Sequence, residues 1–476
     1  MKVQSLVSRK RTQRKLGFLA ASVSLLILSQ GCRISARQED TYPNTASSDS
    51  IQVGNPQSGQ LQSLGVASQE FIPASPVSLA GFGGPGRRFL PPLFLANGET
   101  AFCRPYEKVI APPRIKVAIF DVKKSDSKLT QLFLISLDIV AVTADMTAKI
   151  HQEIARTFPD TQPSLNNVVV LATHTHSGPS GLTENPLWSA FICDQYNNDL
   201  TESYLSTFKK TLKKAASSKE NIVSIETLTA DAPSLLKSRF SGMSPATDLS
   251  ALSFRTDTGH ISLSLARMAA HPTIYGSKDL TLTSDLVGPT EKAIAQALAA
   301  DNVFLMQTEI GNMDAHIDGL QLDEWSQKIS EVLKNGQQSS RSTLTISTQA
   351  GQLPLPKPVV NWKACGAEWA SPLISLPILD EVPHQIPFAL WTFDKEANLF
   401  LAGEWTSAAA AQLKSSLETG SGNSSRFKIF SLANDYTAYH LTRNDYSKKE
   451  LESCSSLYGS GATEQISELI LKNIFL

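Results

Sequence analysis

Apolar residues fall into short runs that alternate with stretches of mixed polarity along the chain. Residues 143–158, 204–216 and 407–417 have the pattern of helices, and a proline follows the first of them. Stretches rich in β-branched and apolar residues are typical of buried strands, and they occupy 115–122, 132–142, 168–171, 261–270, 303–307, 399–404 and 427–432. Strands that alternate with helices predict an α/β fold of mixed β-sheets flanked by helices.

The N-terminus has the order of charge and hydrophobicity found in export signals. Basic residues between positions 9 and 15 precede an apolar stretch over 16–28 that is too short to span a bilayer. A Ser-Gln-Gly-Cys segment ending at Cys32 resembles the cleavage box of bacterial lipoproteins, in which the cysteine is lipidated. We predict a signal peptide over 1–32 and attachment to a membrane surface of the bacterial cell envelope through Cys32, with secretion as the alternative.

Composition divides the remaining chain into a tether and a body. Residues 33–76 are rich in Ser, Gln, Pro and Asn, which predicts a disordered tether. Residues 77–476 are enough for one large domain or two closely packed ones. A formal net charge of −1 gives no indication of nucleic-acid binding. Four further cysteines permit two disulfides without defining their pairing: Cys103, Cys193, Cys365 and Cys454.

Histidines follow two of the predicted strands. His174 and His176 come after the 168–171 run, and alternate side chains of an extended chain share a face. Both imidazoles would therefore point into the space beyond the strand end. His271 follows the run over 261–270, where a proline stops the strand from continuing. Strand ends of this kind carry the sites of α/β proteins, and two imidazoles on one face are half of a zinc site.

These histidines lie in motifs that resemble those of a known family. The stretch Thr-His-Thr-His-Ser-Gly-Pro over 173–179 is similar to the signature of the neutral, non-lysosomal ceramidases, zinc amidases that cut the acyl amide of ceramide. Further similar motifs follow in the family's order: Ala-x-His-Pro at His271, Gln-Thr-x-x-Gly-Asn at 307–312, Gly-Glu-x-Thr at Glu404 and Asn-x-Tyr-x-x-Tyr at Tyr439. The resemblance implies that residues 77–476 form a catalytic domain of this kind, without the family's C-terminal domain.

The resemblance also implies a ligand set for a zinc ion (Zn²⁺). His174, His271 and Glu404 occupy the positions of the family's metal ligands, and Tyr439 that of a tyrosine which reaches the metal. Each side chain follows a predicted strand, so distant parts of the chain would meet at one centre. For Glu404 alone, capping of the helix over 407–417 is an alternative.

Catalytic roles follow from the same positions. Bound zinc would bring the pKa of a water to about 7, so that it attacks an amide carbonyl. His176 is expected to move the proton to the leaving amine, and Tyr439 to stabilise the oxyanion. Arg239, in a Ser-Arg-Phe segment similar to the family's Asn-Arg-Ser, would hold the substrate carbonyl or headgroup, with surface ion pairing as the alternative.

Two positions depart from the family pattern. Asp314 stands where the family has a serine that is held to be catalytic. A carboxylate there could serve as a general base, become a further metal ligand, or be protonated by burial. A further catalytic tyrosine of the family would fall near Leu451, and Tyr458 could be displaced into its role. Tyr436 is expected to serve packing.

The main hypothesis is an exported zinc amidase acting on an N-acyl lipid substrate, with ceramide as the substrate that the resemblance implies. A zinc hydrolase of another amide or ester is one alternative. A non-catalytic lipid-binding lipoprotein is a second, because the family serine and tyrosine are replaced.

Overall fold

The computed structural model describes residues 51–82, 87, 103–192, 194–243, 246–317, 321–342, 344–366, 381–422, 426–448 and 450–474. The predicted signal peptide, its lipidation site Cys32 and Cys193 lie outside these residues. Within the described ranges, no helix is long and apolar enough to cross a membrane.

Strands and helices alternate along the described residues. The strands are β1 (Gln52–Val53), β2 (Gln57–Glu70), β3 (Lys108–Val109), β4 (Arg114–Lys124), β5 (Leu129–Leu137), β6 (Val168–Ala172), β7 (Glu220–Asp231), β8 (Leu236–Ser238), β9 (Asp248–Thr256), β10 (Ile261–Met268), β11 (Thr281–Leu282), β12 (Val303–Gln307), β13 (Met313–Ala315), β14 (Gln337–Arg341), β15 (Thr345–Pro354), β16 (Gln385–Phe393), β17 (Glu396–Leu401), β18 (Glu404–Trp405), β19 (Arg426–Phe430) and β20 (Tyr439–His440). The helices are α1 (Ala144–Thr157), α2 (Pro186–Phe191), α3 (Asn198–Ser217), α4 (Val287–Leu298), α5 (Leu322–Lys334), α6 (Ser407–Gly420), α7 (Arg443–Tyr446), α8 (Leu451–Cys454) and α9 (Ala462–Asn473).

One large mixed sheet contains most of these strands. Its neighbours run in the order β12-β10-β9-β7-β2-β15-β16-β17-β19. A branch of β4, β5 and β6 extends from β2. The pairs β5–β6, β10–β12 and β17–β19 are parallel, whereas the other pairs within the large sheet are antiparallel. The predicted α/β class with mixed sheets flanked by helices is confirmed.

The folded body begins earlier than composition predicts. β2 lies inside the stretch predicted as a disordered tether up to residue 76, so that prediction is wrong for this part. Leu61 and Leu64 are buried, and β2 pairs with β4 over most of its length. β2 has few apolar residues, so composition does not identify it as a strand. Backbone hydrogen bonds to neighbouring strands contribute much of its stabilisation.

The strand that precedes the paired histidines is covered on both faces. Val168 and Val170 of β6 belong to the apolar core that includes residues of α1 and α3, whereas Val169 and Leu171 belong to a second core on the opposite face. This alternation follows from the two-residue period of a strand. With both faces apolar, polar chemistry on this strand is confined to its end.

Candidate metal centre

His174 is held firmly at the end of β6. Its backbone has a positive φ of 68°, which is uncommon for a residue with a side chain. Its backbone N–H donates to the carbonyl of Ile139 at 3.0 Å, and Nδ1 lies 2.5 Å from the carbonyl oxygen of Val140. A carbonyl only accepts hydrogen bonds, so Nδ1 carries a proton. Nε2 is then the ring nitrogen that can present a lone pair to a metal ion.

His271 is fixed in a similar way beyond β10. Both its backbone N–H and its Nδ1 contact the carbonyl oxygen of Met313, at 3.1 Å and 3.0 Å. Its Nε2 is thereby also left as a lone pair. Met313 lies in β13, which pairs with β8, so one short ribbon sets the orientation of this imidazole.

A buried glutamine joins the two strand ends that carry these histidines. The Gln307 side-chain amide donates to the carbonyls of Thr173 at 3.0 Å and Ala270 at 3.1 Å. Its side-chain oxygen accepts from the Ala270 backbone N–H at 3.1 Å. Thr173 and Ala270 directly precede His174 and His271. The glutamine was noticed in the sequence only as part of a motif, and its contacts give it a positioning role.

Glu404 lies between the two imidazoles. Its Oε2 is 3.1 Å from Nε2 of His271 and 3.4 Å from Nε2 of His174. Its Oε1 accepts a hydrogen bond from the Tyr436 hydroxyl at 2.7 Å. Tyr439 is the partner of Glu404 in the parallel pair β18–β20, and their side chains also hydrogen-bond. The four predicted ligand residues are thus brought together.

Tyr436 has a second role besides the packing that we predicted. Its ring does pack edge-on against Trp188, with ring centroids 4.8 Å apart. Its hydroxyl, however, holds one oxygen of Glu404, and this leaves the other oxygen facing the histidines. The sequence contained the tyrosine but gave no indication of where its hydroxyl points.

Protonation states show that the centre fits a cation. Burial lowers the pKa of His271 to about 4, so its ring is neutral at pH 7. Burial would raise the pKa of Glu404, but its interactions with His174 and His271 bring it well below its usual range. An ionised carboxylate oxygen therefore faces Nε2 of His271 at 3.1 Å and Nε2 of His174 at 3.4 Å. A metal ion would bind between these three atoms and replace any proton that they share.

His176 also lies inside the group that could hold a metal. Its Nε2 is 3.3 Å from Nε2 of His174, and ring nitrogens of His174, His176 and His271 lie within 4.8 Å of one another. Burial and the two neighbouring imidazoles lower its pKa well below the usual value. Its Nδ1 is buried and has no hydrogen-bond partner in the described part of the chain. The geometry permits His176 to act as a further ligand or as the predicted proton carrier.

Arg239 and Asp314 lie beside the centre, where they engage each other. Nε and Nη2 of Arg239 are 2.9 Å and 2.7 Å from Oδ1 of Asp314. Burial would raise the pKa of Asp314, but the charge and hydrogen bonds of Arg239 bring it below its usual value. The alternative in which burial keeps Asp314 protonated is therefore wrong. Of the two alternatives for Arg239, ion pairing is present, and the pair is partly buried.

Glu452 is a residue that sequence reasoning missed. Its Oε1 lies 3.4 Å from Nη1 of Arg239, and its side chain is 4 % exposed. It follows Leu451, close to which the resemblance would place a tyrosine. The disulfide Cys365–Cys454 ties α8, which carries Glu452, to a distant segment. No motif contains Glu452, so only its proximity to Arg239 reveals it.

Tyr458 does not take the displaced role that we considered. Its hydroxyl donates to the carbonyl of Pro383 at 2.9 Å, and its ring lies parallel to that of His440 with centroids 6.2 Å apart. Among the described residues, these contacts account for the side chain, and none of them joins it to Glu404, His174 or His271.

Comparison with known proteins shows the fold. No protein-family profile matches the sequence, and no curated protein is significantly similar to it. The structure is similar to that of neutral ceramidase from Pseudomonas aeruginosa, with a TM-score of 0.67 and 13% identity over 87% of this chain and 74% of that chain. A ceramidase complexed with C2 gives a TM-score of 0.67 and 12% identity over 87% of this chain and 75% of the other. The fold is that of the neutral ceramidases, as the motifs implied.

Proposed function

We propose that the protein is a zinc-dependent amidase that hydrolyses the N-acyl amide of ceramide-like lipids to a sphingoid base and a fatty acid. One observation carries the proposal: Nε2 of His174, Nε2 of His271 and Oε2 of Glu404 converge in a buried centre at 3.1–3.4 Å. The ceramidase fold supports the same reaction class.

Zinc suits the donor set. Two imidazoles and one carboxylate with a further position left for substrate are typical of catalytic zinc sites. When bound, zinc polarises a carbonyl and lowers the pKa of a water. His174, His271 and Glu404 would hold it. Burial and the charge of Glu404 raise the pKa of Tyr439 well above its usual value, so its hydroxyl keeps a proton to donate to an oxyanion.

Proton transfer is assigned to His176. Its lowered pKa keeps the ring neutral at pH 7, so the ring can accept a proton from water and pass it to the amine that leaves. Arg239 has five N–H donors, and its Nε, Nη1 and Nη2 atoms contact Asp314 and Glu452. We assign the N–H groups that point away from these carboxylates to the substrate carbonyl.

We also propose that the protein is exported and anchored to the membrane surface through a lipidated Cys32. The order of basic and apolar residues before Cys32 supports export. The disulfide Cys365–Cys454 supports an oxidising compartment, since such bonds rarely persist in the cytosol. A membrane anchor would keep the enzyme next to lipid amides.

The same reaction on another amide or ester is the second candidate. The pairing of Arg239 with Asp314 favours it, because much of the arginine's charge and donor capacity is already engaged. Hydrolysis of ceramide is therefore compared with hydrolysis of other acyl amides and esters. A binding-only lipoprotein is tested in the same experiment through turnover.

The test combines metal analysis with hydrolysis of a fluorescent short-chain ceramide by the purified full-length protein. We expect about one zinc per chain, loss of hydrolysis after chelation and its return with added zinc. His271→Ala should lose both metal and hydrolysis. His260→Ala, at a partly exposed histidine near Glu220 and Asp301, is the matched control and should retain both.

Two results would redirect the proposal. Zinc with hydrolysis of other acyl amides or esters but not of ceramide would assign the second candidate. Zinc without turnover of any lipid amide or ester would support the binding-only alternative.

A further inference from the structure

We propose that Asp314 and Glu452, acting on Arg239, select acyl amides whose amine part is neutral or cationic and reject those that carry an anionic group near the amide. The inference rests on the proposed amidase function and names the substrate class of the same site. Asp314 and Glu452 are specificity-determining residues in this proposal.

The positive charge of Arg239 is largely balanced by neighbouring carboxylates. One guanidinium contacts two carboxylates, with two N–H groups on Asp314 and a third on Glu452. Asp314 lies in ion-pair contact with Arg239, whose positive charge favours the ionised carboxylate. At least one full negative charge therefore opposes the arginine. The guanidinium can still donate hydrogen bonds, but it offers little net positive potential to an anion.

The ion pair of Arg239 with Asp314 lies beside the candidate metal centre. The backbone N–H of Arg239 donates to the carbonyl of Asn312 at 2.8 Å, and Asp314 follows Met313 directly. The Met313 carbonyl is the group that orients His271. The ion pair is thus built on the same short ribbon, β8 with β13, that positions a proposed ligand.

The three charged side chains differ in how accessible they are to a substrate. Side-chain exposure falls from 28 % for Asp314 and 22 % for Arg239 to 4 % for Glu452. A bound amide can therefore reach Asp314 and the remaining N–H groups of Arg239, with Glu452 behind them. A carboxylate or phosphate on the amine part would meet the charge of Asp314, whereas an ammonium group would be attracted to it.

A matched series of three amides tests the inference on the zinc-loaded full-length protein. All share an octanoyl chain and a two-carbon amine part: N-octanoylglycine is anionic, N-octanoylethanolamine is neutral, and N-(2-aminoethyl)octanamide is cationic. The measurements are kcat/KM for hydrolysis and the dissociation constant of each amide. We expect the anionic amide to be disfavoured by about tenfold or more against the neutral one, and the difference to shrink as salt is added.

Two charge-removing variants and one control make the test specific. Asp314→Asn keeps the shape of the side chain and should raise the anionic-to-neutral ratio by about tenfold. Glu452→Gln should also raise the anionic-to-neutral ratio. Glu331→Gln removes an exposed carboxylate from α5 and should leave the ratio unchanged. Because the readout is a ratio between substrates, an unspecific loss of activity does not imitate the effect.

Different results test the charge selectivity and the amidase function. An unchanged ratio in Asp314→Asn and Glu452→Gln, or equal use of anionic and neutral amides by the unaltered protein, overturns the inference. Absence of hydrolysis for all three amides and for ceramide counts against the amidase function alone. The dissociation constants of the three amides then decide the charge selectivity.

Discussion

Oε2 of Glu404 lies 3.1 Å from Nε2 of His271, and both side chains are about 1 % exposed. The Met313 carbonyl accepts the Nδ1 hydrogen bond of His271, so Nε2 is the ring nitrogen that faces the carboxylate. A buried carboxylate oxygen at this distance from an imidazole nitrogen requires a shared proton or a cation between them. The pair therefore forms the core of the candidate metal centre.

The substitution Glu404→Gln distinguishes two possible roles of Glu404, that of a metal ligand and that of a purely structural carboxylate. Glu404→Gln should weaken zinc binding by more than about 100-fold, beyond the usual loss for a residue that only supports a ligand. Without metal, the same variant should differ in stability by no more than about 1 kcal/mol, because the amide retains a hydrogen bond with the imidazole of His271. Zinc competition and denaturation of the chelated protein measure the two effects. A large loss of stability in the metal-free variant would contradict the ligand assignment.

His176 can be assigned by comparing metal affinity with turnover. We expect His176→Gln to bind zinc within about tenfold of the unaltered protein and to lose between about 100-fold and 10,000-fold in kcat, since proton transfer contributes on that order. Zinc titration and single-turnover kinetics distinguish the roles. If zinc affinity falls as far as it does in His271→Ala, then His176 is a ligand and the proton carrier lies elsewhere.

The backbone next to Glu404 tolerates no side chain. Gly403 has φ +74°, and a Cβ there would lie 2.5 Å from the carbonyl oxygen of Ala438. Gly403→Ala should therefore push β18 away from β20, which carries Tyr439, and should lower both stability and metal affinity. Gly422→Ala is the matched control, because Gly422 has φ +63° with nothing within 4 Å of its Cβ position.

The control isolates the steric effect from backbone strain. Gly422→Ala should cost about 1 kcal/mol, the usual penalty of a left-handed alanine, without any effect on zinc. The cost of Gly403→Ala should exceed that value by about 2 kcal/mol or more, since an overpacked site adds its own penalty. Equal losses in the two variants would show that the contact with Ala438 is relieved without moving Glu404.

His440 should make stability depend on pH below neutrality. Burial lowers the pKa of His440 to about 3, and its Nε2 lies 2.8 Å from the Thr437 hydroxyl. In the unfolded chain the histidine takes up a proton near pH 6.5, whereas the folded protein does so only near pH 3. Stability attributable to this residue is therefore complete above pH 6.5 and falls as pH decreases toward 3.

The comparison with His440→Gln measures this contribution. At pH 7 the glutamine variant should be less stable than the unaltered protein. As pH falls below about 6.5 that difference should shrink by about 1.4 kcal/mol per pH unit, or about 3 kcal/mol by pH 4.5. Denaturant titrations at pH 7, 5.5 and 4.5 give the slope. A difference that does not change with pH would mean that His440 takes up its proton at the same pH in the folded and unfolded states.

The strand order in the sheet could not be predicted, although most strands could. Apolar runs mark β6 and β12, because a strand covered on both faces is nearly continuously hydrophobic. β2 lacks that mark, since its position follows from hydrogen bonds to strands far away in the chain. Local composition carries no information on such partners.

The sequence by itself determined the class of fold and the side chains of the candidate metal centre. His174, His271 and Glu404 each end an apolar run, and the end of a buried strand is the place where the chain can first expose a polar group. Those signals are local, so they survive without a structure. The ion pair of Arg239 with Asp314 and Glu452 joins residues 75 and 213 positions apart. Only the tertiary structure decided these partners, because the direction of a side chain in a loop depends on how the distant segments pack around it.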